Sequence, residues 1–327
     1  MDATAKNIRI QRWVAALSVS LLIVKLVAYY QTHSVAILTD ALEGIVNVVA
    51  GFFGLYSLTL SAKPRDEDHP YGHGKIEFIS AGVEGSMIFL AGLLIIYESV
   101  VSLIAHNPLH KLDNGIILIG TTAVLNFVAG YICINAGKKS DSLVLVASGK
   151  HLQSDTITTL GVLVGLALIF FTGQTWIDSA VALLFSLWIL YTGYTIIRKS
   201  VAGIMDESDH QLLARMVDLL NKNRRENWVD LHNVRFIKYG SKLHLDGHLT
   251  IPWYLNVNEA HREIDMLAKL IRKEFDESLE LFVHSDGCVD FSCRICNKQG
   301  CPVRKHPFEK RVEWTIENIV NDRKHQV

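Results

Sequence analysis

Six apolar stretches dominate the first two-thirds of the chain, near residues 10–31, 34–61, 78–105, 113–137, 145–172 and 175–198. A helix needs about 20 residues to cross the hydrocarbon core of a bilayer. A backbone at that depth must satisfy its own hydrogen bonds. The stretches therefore predict an all-α domain of six membrane-spanning helices over residues 1–205. The mean hydropathy of +0.24 coexists with 20% charged residues. The two agree only because apolar side chains concentrate in residues 1–200 while 206–327 read as polar. The first run, roughly 13–31, lacks a small-residue cleavage site and reads as a true span, not a removable leader. A formal net charge of -1 and no basic stripe with interleaved aromatics argue against nucleic acid as a partner.

Orientation follows from Lys and Arg, which favour the cytoplasmic side. One side carries Lys6, Arg9, Arg12, Lys63, Arg65, Lys75, Lys138, Lys139, Lys150, Arg198 and Lys199, whereas the other carries Lys111. Both termini and the polar C-terminal part are thus expected in the cytoplasm. The expected location is multi-pass in a membrane, the inner or plasma membrane if the source is bacterial.

Past Asp206 the pattern changes to that of a water-soluble domain, 206–287. Residues 208–223 read as an amphipathic helix opened by Ser208, 229–238 and 242–251 as strands, 257–275 as a second helix and 278–285 as a third strand. The order αββαβ predicts a small α+β domain of ferredoxin-like type. Residues 288–327 form a Cys-rich tail, loop-like to 306, with a last helix expected over 307–322.

The polar residues inside the apolar stretches carry the chemistry. His151 and Asp155 lie four apart, on one helical face. Asp40, Glu43 and Asn47 make a similar stripe in the second stretch. Ionisable groups at membrane depth are costly and usually functional. Imidazole, carboxylate and amide together suit a small divalent cation such as zinc, manganese, iron, cobalt or nickel. Lys25, Glu84 and Glu98 are further ionisable residues in the spans, Lys25 expected to snorkel or to pair with a carboxylate.

Three more clusters point the same way. The loop PRDEDHPYGHGK brings Asp66, His69 and His73 close in sequence, with Gly72 and Gly74 permitting a tight turn. The soluble domain holds His232, His244, His248, His261, His284 and Asp286, with His244, Asp246 and His248 on one strand face by period two. Cys288, Cys293, Cys296 and Cys301, followed by His306, are spaced for a zinc knot, and a cytoplasmic location disfavours disulfides. Cys133, within a span, reads as a small core residue.

The HPYGHGK loop, the His151–Asp155 pair, the six spans and the HSD turn at 284–286 resemble the cation diffusion facilitator family over residues 9–290. The resemblance implies a homodimeric antiporter exporting a divalent metal, zinc by preference, in exchange for protons, and not an enzyme. It also implies a transport site of Glu43, Asn47, His151 and Asp155, with Asp40 nearby, and a loop site of Asp66, His69 and His73. A cytoplasmic site of His232, His248, His261, His284 and Asp286 is implied as well. Lys75 and Asp206 match the pair that locks protomers at the membrane surface. Where zinc-transporting relatives usually place Asp, or His and Asp, this chain has Glu43 and Asn47, which leaves the metal open. The rival reading is a membrane-anchored metal sensor or scaffold that does not transport. No HExxH helix and no Ser nucleophile elbow speak for a hydrolase.

Overall fold

The computed structural model describes the chain except residues 1–2, 33–34, 106–114, 175, 241 and 276–278. The described residues divide into two compact units, 1–205 and 206–327.

Unit one is built of α1 (Ala3–Thr32), α2 (Val35–Ser61), α3 (Ile76–Ala105), α4 (Gly115–Ser140), α5 (Leu143–Thr172) and α6 (Trp176–Ile204). These are the six helices the apolar stretches predict. Among the described residues, four contain a segment long and apolar enough to cross a membrane: Thr4–Val27, Gly44–Ser61, Ile76–Val101 and Ser179–Ile204. The bundle is apolar outside and buries polar side chains among the apolar ones of its interior. Ile23, Leu94, Leu184 and Leu187 are exposed, whereas Gln11, Ser57, Glu84 and Ser186 are fully buried. That inversion suits a lipid solvent, in which polar groups are better placed among neighbouring helices than toward hydrocarbon. Lys25 is buried in the bundle, so the snorkelling alternative does not hold.

The helices pack chiefly as pairs, α3 with α6, α4 with α5 and α1 with α2, and α5 also meets α3 and α6. Small residues set the α4–α5 approach: a Cβ on Gly149 would lie 2.7 Å from the carbonyl oxygen of Gly130, and one on Gly130 equally close to that of Gly149. The close approach holds α5, which carries His151 and Asp155, tight against its neighbour.

Unit two runs α7 (His210–Lys222), β1 (Asp230–Tyr239), β2 (Lys242–Ile251), α8 (Val257–Glu274), β3 (Glu280–Gly287), a short 3₁₀ turn (Asp290–Arg294) and α9 (Ile316–Ile319). The sheet order is β1-β2-β3, with β1 and β2 antiparallel and β2 and β3 parallel. The order αββαβ is as expected. The first cap is not: Asp209, not Ser208, accepts from the N–H groups of Gln211 and Leu212. Helix α7 buries Leu213, Met216, Val217 and Leu220 and α8 buries Leu267 and Ile271, both against Phe236, Leu245 and Leu249 of the sheet. α8 opens with a capping box between Asn256 and Glu259.

The Cys-rich tail belongs to this unit. Trp314 and Ile319 enter the same core, and the Arg224 guanidinium stacks 3.9 Å over the Trp314 ring. The helix expected over 307–322 forms only one turn. Its backbone groups are engaged elsewhere: Asn221 accepts the Trp314 N–H and donates to the Trp314 carbonyl, Arg224 takes the carbonyl of Val312, and the Glu309 and Lys310 N–H groups donate to the carbonyl of Arg294. Side-chain donors thus take carbonyls that a helical ladder would need.

Candidate metal sites

Within the bundle, Asn47 on α2 bridges the two polar residues of α5. Its carbonyl oxygen accepts from Nε2 of His151 at 2.7 Å, and its amide donates to Asp155 Oδ2 at 2.6 Å. His151 is 8% exposed. The four-residue spacing stacks His151 above Asp155 on one helix face, and α2 supplies the amide that reads both. The Thr158 and Thr159 hydroxyls donate to the Asp155 carbonyl. Asp40 and Glu43 lie on α2, but their side chains fall outside the described residues.

A turn lower in the bundle, Glu84 is completely buried, its Oε1 accepting from the Ser148 hydroxyl, which in turn accepts from Gln11. Glu84 therefore faces the bundle interior.

Among the described residues, two sets bring three ligand atoms within 4.8 Å of one another. The first is Asp66, His69 and His73. Asp66 Oδ1 accepts from the His69 ring at 2.9 Å and from the His69 backbone N–H at 2.7 Å, and its Oδ2 lies 3.3 Å from His73 Nε2. Gly72, at φ 85°, turns the loop so that its N–H meets the His69 carbonyl and the two imidazoles face each other at 4.3 Å. The His69 hydrogen bond, helped by the backbone N–H and both imidazoles, holds the Asp66 carboxyl below its ordinary range despite some desolvation.

The second set is His232, His248 and Asp286. Sheet register builds it. His248 pairs with His232 on β1 and with His284 on β3, so three imidazoles stand in one row across the sheet. Asp286, two residues past His284, shares their face. A bulge makes the row possible. From Tyr239↔Lys242 to Arg235↔Asp246 the paired numbers sum to 481, a register that would set His232 opposite Leu249. The shift at Asn233, whose φ is 51°, drops the sum to 480 and sets His232 opposite His248. Asp286 then collects the row: Oδ2 lies 3.2 Å from His232 Nε2 and 3.4 Å from His248 Nδ1, and Oδ1 lies 3.2 Å from His284 Nε2. Burial pushes the His232 imidazole below its ordinary range, outweighing the pull of Asp230 and Asp286, and so favours the neutral form that a metal requires.

Three residues named from the sequence stand apart from this row. His261, on α8, is exposed and lies 3.7 Å from Asp265. His244 is buried against Phe282 and lies 3.5 Å from Glu280, and Asp246 faces Arg235. Lys75 stands at the end of the histidine loop, and Asp206 begins unit two with a left-handed backbone, φ 55°. The four tail cysteines are free thiols and do not form one of the tight sets. They are neighbours nonetheless: burial, and then the other three thiols, push Cys288 up, and the Lys305 N–H donates to Cys293 Sγ at 3.4 Å. Arg304 fastens the loop by donating to the carbonyls of Cys293, Cys296 and Lys298.

Three residues around the imidazole row escaped sequence reasoning. Asp230, 1% exposed, sits 3.7 Å from His232 Nδ1 and accepts from His325 through both the ring (2.5 Å) and the backbone N–H (2.9 Å). Lys324 places its ammonium 3.6 Å from Asp286 Oδ2. Asp230 and His232 have a visible i, i+2 spacing. The return of His325 across 95 positions has no local signal.

An apolar-skinned bundle with a His–Asn–Asp cluster in its interior, followed by an α+β domain presenting a row of imidazoles around one carboxylate, has the features of an integral membrane protein with groups able to hold a metal cation. Comparison with known proteins identifies which kind. Residues 12–205 match the cation efflux transmembrane domain, and 209–288 match the cation efflux protein cytoplasmic domain. The chain belongs to the cation diffusion facilitator family and is a cation efflux transporter, not an enzyme. It is 35% identical over 237 residues to an uncharacterized transporter of Synechocystis, covering 72% of this chain and 76% of that one. It is 24% identical over 272 residues to the cation-efflux pump FieF of Shewanella oneidensis, covering 83% and 90%. It is also 26% identical over 321 residues to metal tolerance protein C1 of Arabidopsis thaliana, covering 92% and 67%. The family places metal cations as substrate and gives the chain a dimerisation domain.

Proposed function

We propose that the protein exports a divalent transition metal, zinc foremost, from the cytoplasm in exchange for protons, as a homodimer with both termini cytoplasmic. The observation that carries this is the Asn47 amide bridging His151 and Asp155 inside the bundle. Imidazole, amide oxygen and carboxylate converge there, part-buried among the helices. A dication arriving from the cytoplasm binds Nε2 of a protonated His151, whose Nε2 proton leaves to the cytoplasm while Nδ1 keeps the other, and draws Asp155 and the Asn47 oxygen to itself. Glu43, one helical turn from Asn47, completes the ligand set, with Asp40 a further turn toward the start of α2. Rocking of the helices then opens the site outward, where protons compete for His151 and the carboxylates and release the metal. The basic residues clustered on one side of the bundle support the orientation.

The other clusters serve the same cargo. Asp66, His69 and His73 form a loop site. His232, His248, His284 and Asp286, with His261, form the cytoplasmic site whose occupancy biases the dimer toward transport. Lys75 and Asp206 interlock the protomers at the membrane surface. Cys288, Cys293, Cys296 and Cys301 close on a structural zinc.

The test is metal flux into proteoliposomes under an imposed pH gradient, scanning zinc, manganese, iron, cobalt, nickel and cadmium. Gradient-dependent flux of one metal, lost in Asp155→Ala, is the expected result. Flux that ignores the gradient removes the antiport. Flux retained in Asp155→Ala removes the site.

A further inference from the structure

The segment after α9 lies beyond the matched cytoplasmic domain, yet it runs directly to the imidazole row. Three contacts fix its path. The Asn233 N–H donates to the Asn321 carbonyl at 2.6 Å. His325 is held by Asp230, through ring and backbone, at 2.5 and 2.9 Å. Between them, Lys324 Nζ donates to the Gly287 carbonyl at 2.8 Å. The same ammonium lies 3.6 Å from Asp286 Oδ2, the oxygen that also faces His232 and His248. Lys324 is 21% exposed at its side chain, and Asp286 17%.

We propose that Lys324 is a tethered cation standing in the cytoplasmic metal site, so that a divalent metal binds Asp286 only by displacing the C-terminal strap. The argument is electrostatic and geometric. Of the two carboxylates near the row, Asp230 is held by His325, and Asp286, which faces all three imidazoles, has the ammonium against it. A dication held by Asp286 Oδ2 and the imidazoles would sit within a few ångströms of that ammonium, and like charges at such range repel strongly away from bulk water. Among the described residues the ammonium has only the Gly287 carbonyl as a second partner, so it is the group that leaves. The strap therefore raises the metal concentration at which the site fills, and it makes the position of the C-terminus report occupancy. The inference rests on the reading of His232, His248 and Asp286 as a metal site.

Hydrogen exchange on the full-length protein in detergent, as a function of free zinc, tests it. Peptides over β3 report occupancy of the cluster, and those over 321–327 report the strap, so zinc bound elsewhere does not interfere. In the unmodified protein, zinc should protect β3 and speed exchange of the strap with one midpoint. Lys324→Met should lower the β3 midpoint about fivefold, the worth of a partly exposed ion pair. Lys324→Arg, which keeps the charge, should leave it nearly unchanged. An unchanged midpoint in Lys324→Met, or a strap that stays protected when β3 is saturated, overturns the proposal and leaves the metal site standing. No zinc response over β3 in any variant overturns the site itself, and the strap's role with it.

Discussion

Replacing Asn47 with Ala probes the bundle site most directly. The amide makes two hydrogen bonds, at 2.7 Å to the His151 ring and at 2.6 Å to the Asp155 carboxylate. A neutral hydrogen bond contributes about 1 kcal/mol net, and one to a charged group about 1.5–3 kcal/mol. The metal-free bundle therefore loses roughly 2–4 kcal/mol of local order, spent in holding His151 and Asp155 in register. That loss alone would free both ligands and tighten metal binding. Against it stands the removal of an oxygen ligand, and of the group that aims the imidazole and the carboxylate. Loss of such orienting partners weakens metal sites by about 10–100-fold. A water at this part-buried site can replace the missing oxygen but cannot aim the imidazole and the carboxylate, so the second effect wins. The expected outcome is an apparent KM for zinc raised about 10-fold or more, with maximal flux changed far less. The assay is zinc uptake into proteoliposomes with an entrapped fluorescent chelator, alongside Asp155→Ala as the inactive reference. A KM within twofold of the unmodified protein, with Asp155→Ala inactive, would refute the bridging amide as part of the site.

Gly149→Val should drive α4 from α5, because even a Cβ at 149 would lie 2.7 Å from the Gly130 carbonyl oxygen; a loss of about 1–3 kcal/mol is expected, read as a lower detergent melting temperature. Trp314→Ala should cost the soluble unit about 3–5 kcal/mol, since the ring is 1% exposed in its core, and chemical denaturation followed by circular dichroism measures it. Burial pushes the Asp230 carboxyl up, but the His325 hydrogen bonds and the His325 and His232 charges outweigh it and hold it below its ordinary range. A depressed carboxylate stabilises above its unfolded pKa and loses that contribution as pH falls through the folded one. Hydrogen exchange should therefore show the 321–325 segment attached at neutral pH and released only in acid below the ordinary carboxylate range, with Asp230→Asn already released at neutral pH.

How far the sequence reaches depends on which physical rule is in play. The six helices were legible because lipid leaves a 20-residue apolar backbone no other common structure. His151 and Asp155 were legible as a pair because helical periodicity is local. The α+β order followed from alternation and amphipathic spacing. The imidazole row was only half legible. Period two placed His248 on a face, but the partner of His232 depended on a one-residue bulge at Asn233, which no alternation pattern encodes. The tail misled because nothing local in 307–322 shows that Asn221 and Arg224, about 90 residues away, take backbone groups that a helix there would need.

The sites share one composition, imidazole with a single carboxylate among the described side chains, but not one environment. Asp66 is half exposed, and solvent can balance the surplus charge of a bound dication there. Asp286 is largely shielded, and Lys324 balances it in the metal-free state. The bundle site differs from both. Asp155 and the neutral Asn47 and His151 would leave a dication with a net charge of about +1, which the bilayer interior penalises by several kcal/mol. A second carboxylate is therefore needed for passage, and the i, i+4 stripe on α2 offers Glu43 for it. Glu43→Gln should then abolish flux more completely than Asn47→Ala, while leaving zinc protection of β3 unchanged. Equal flux from Glu43→Gln and the unmodified protein would refute the charge argument, however well the other ligands are placed.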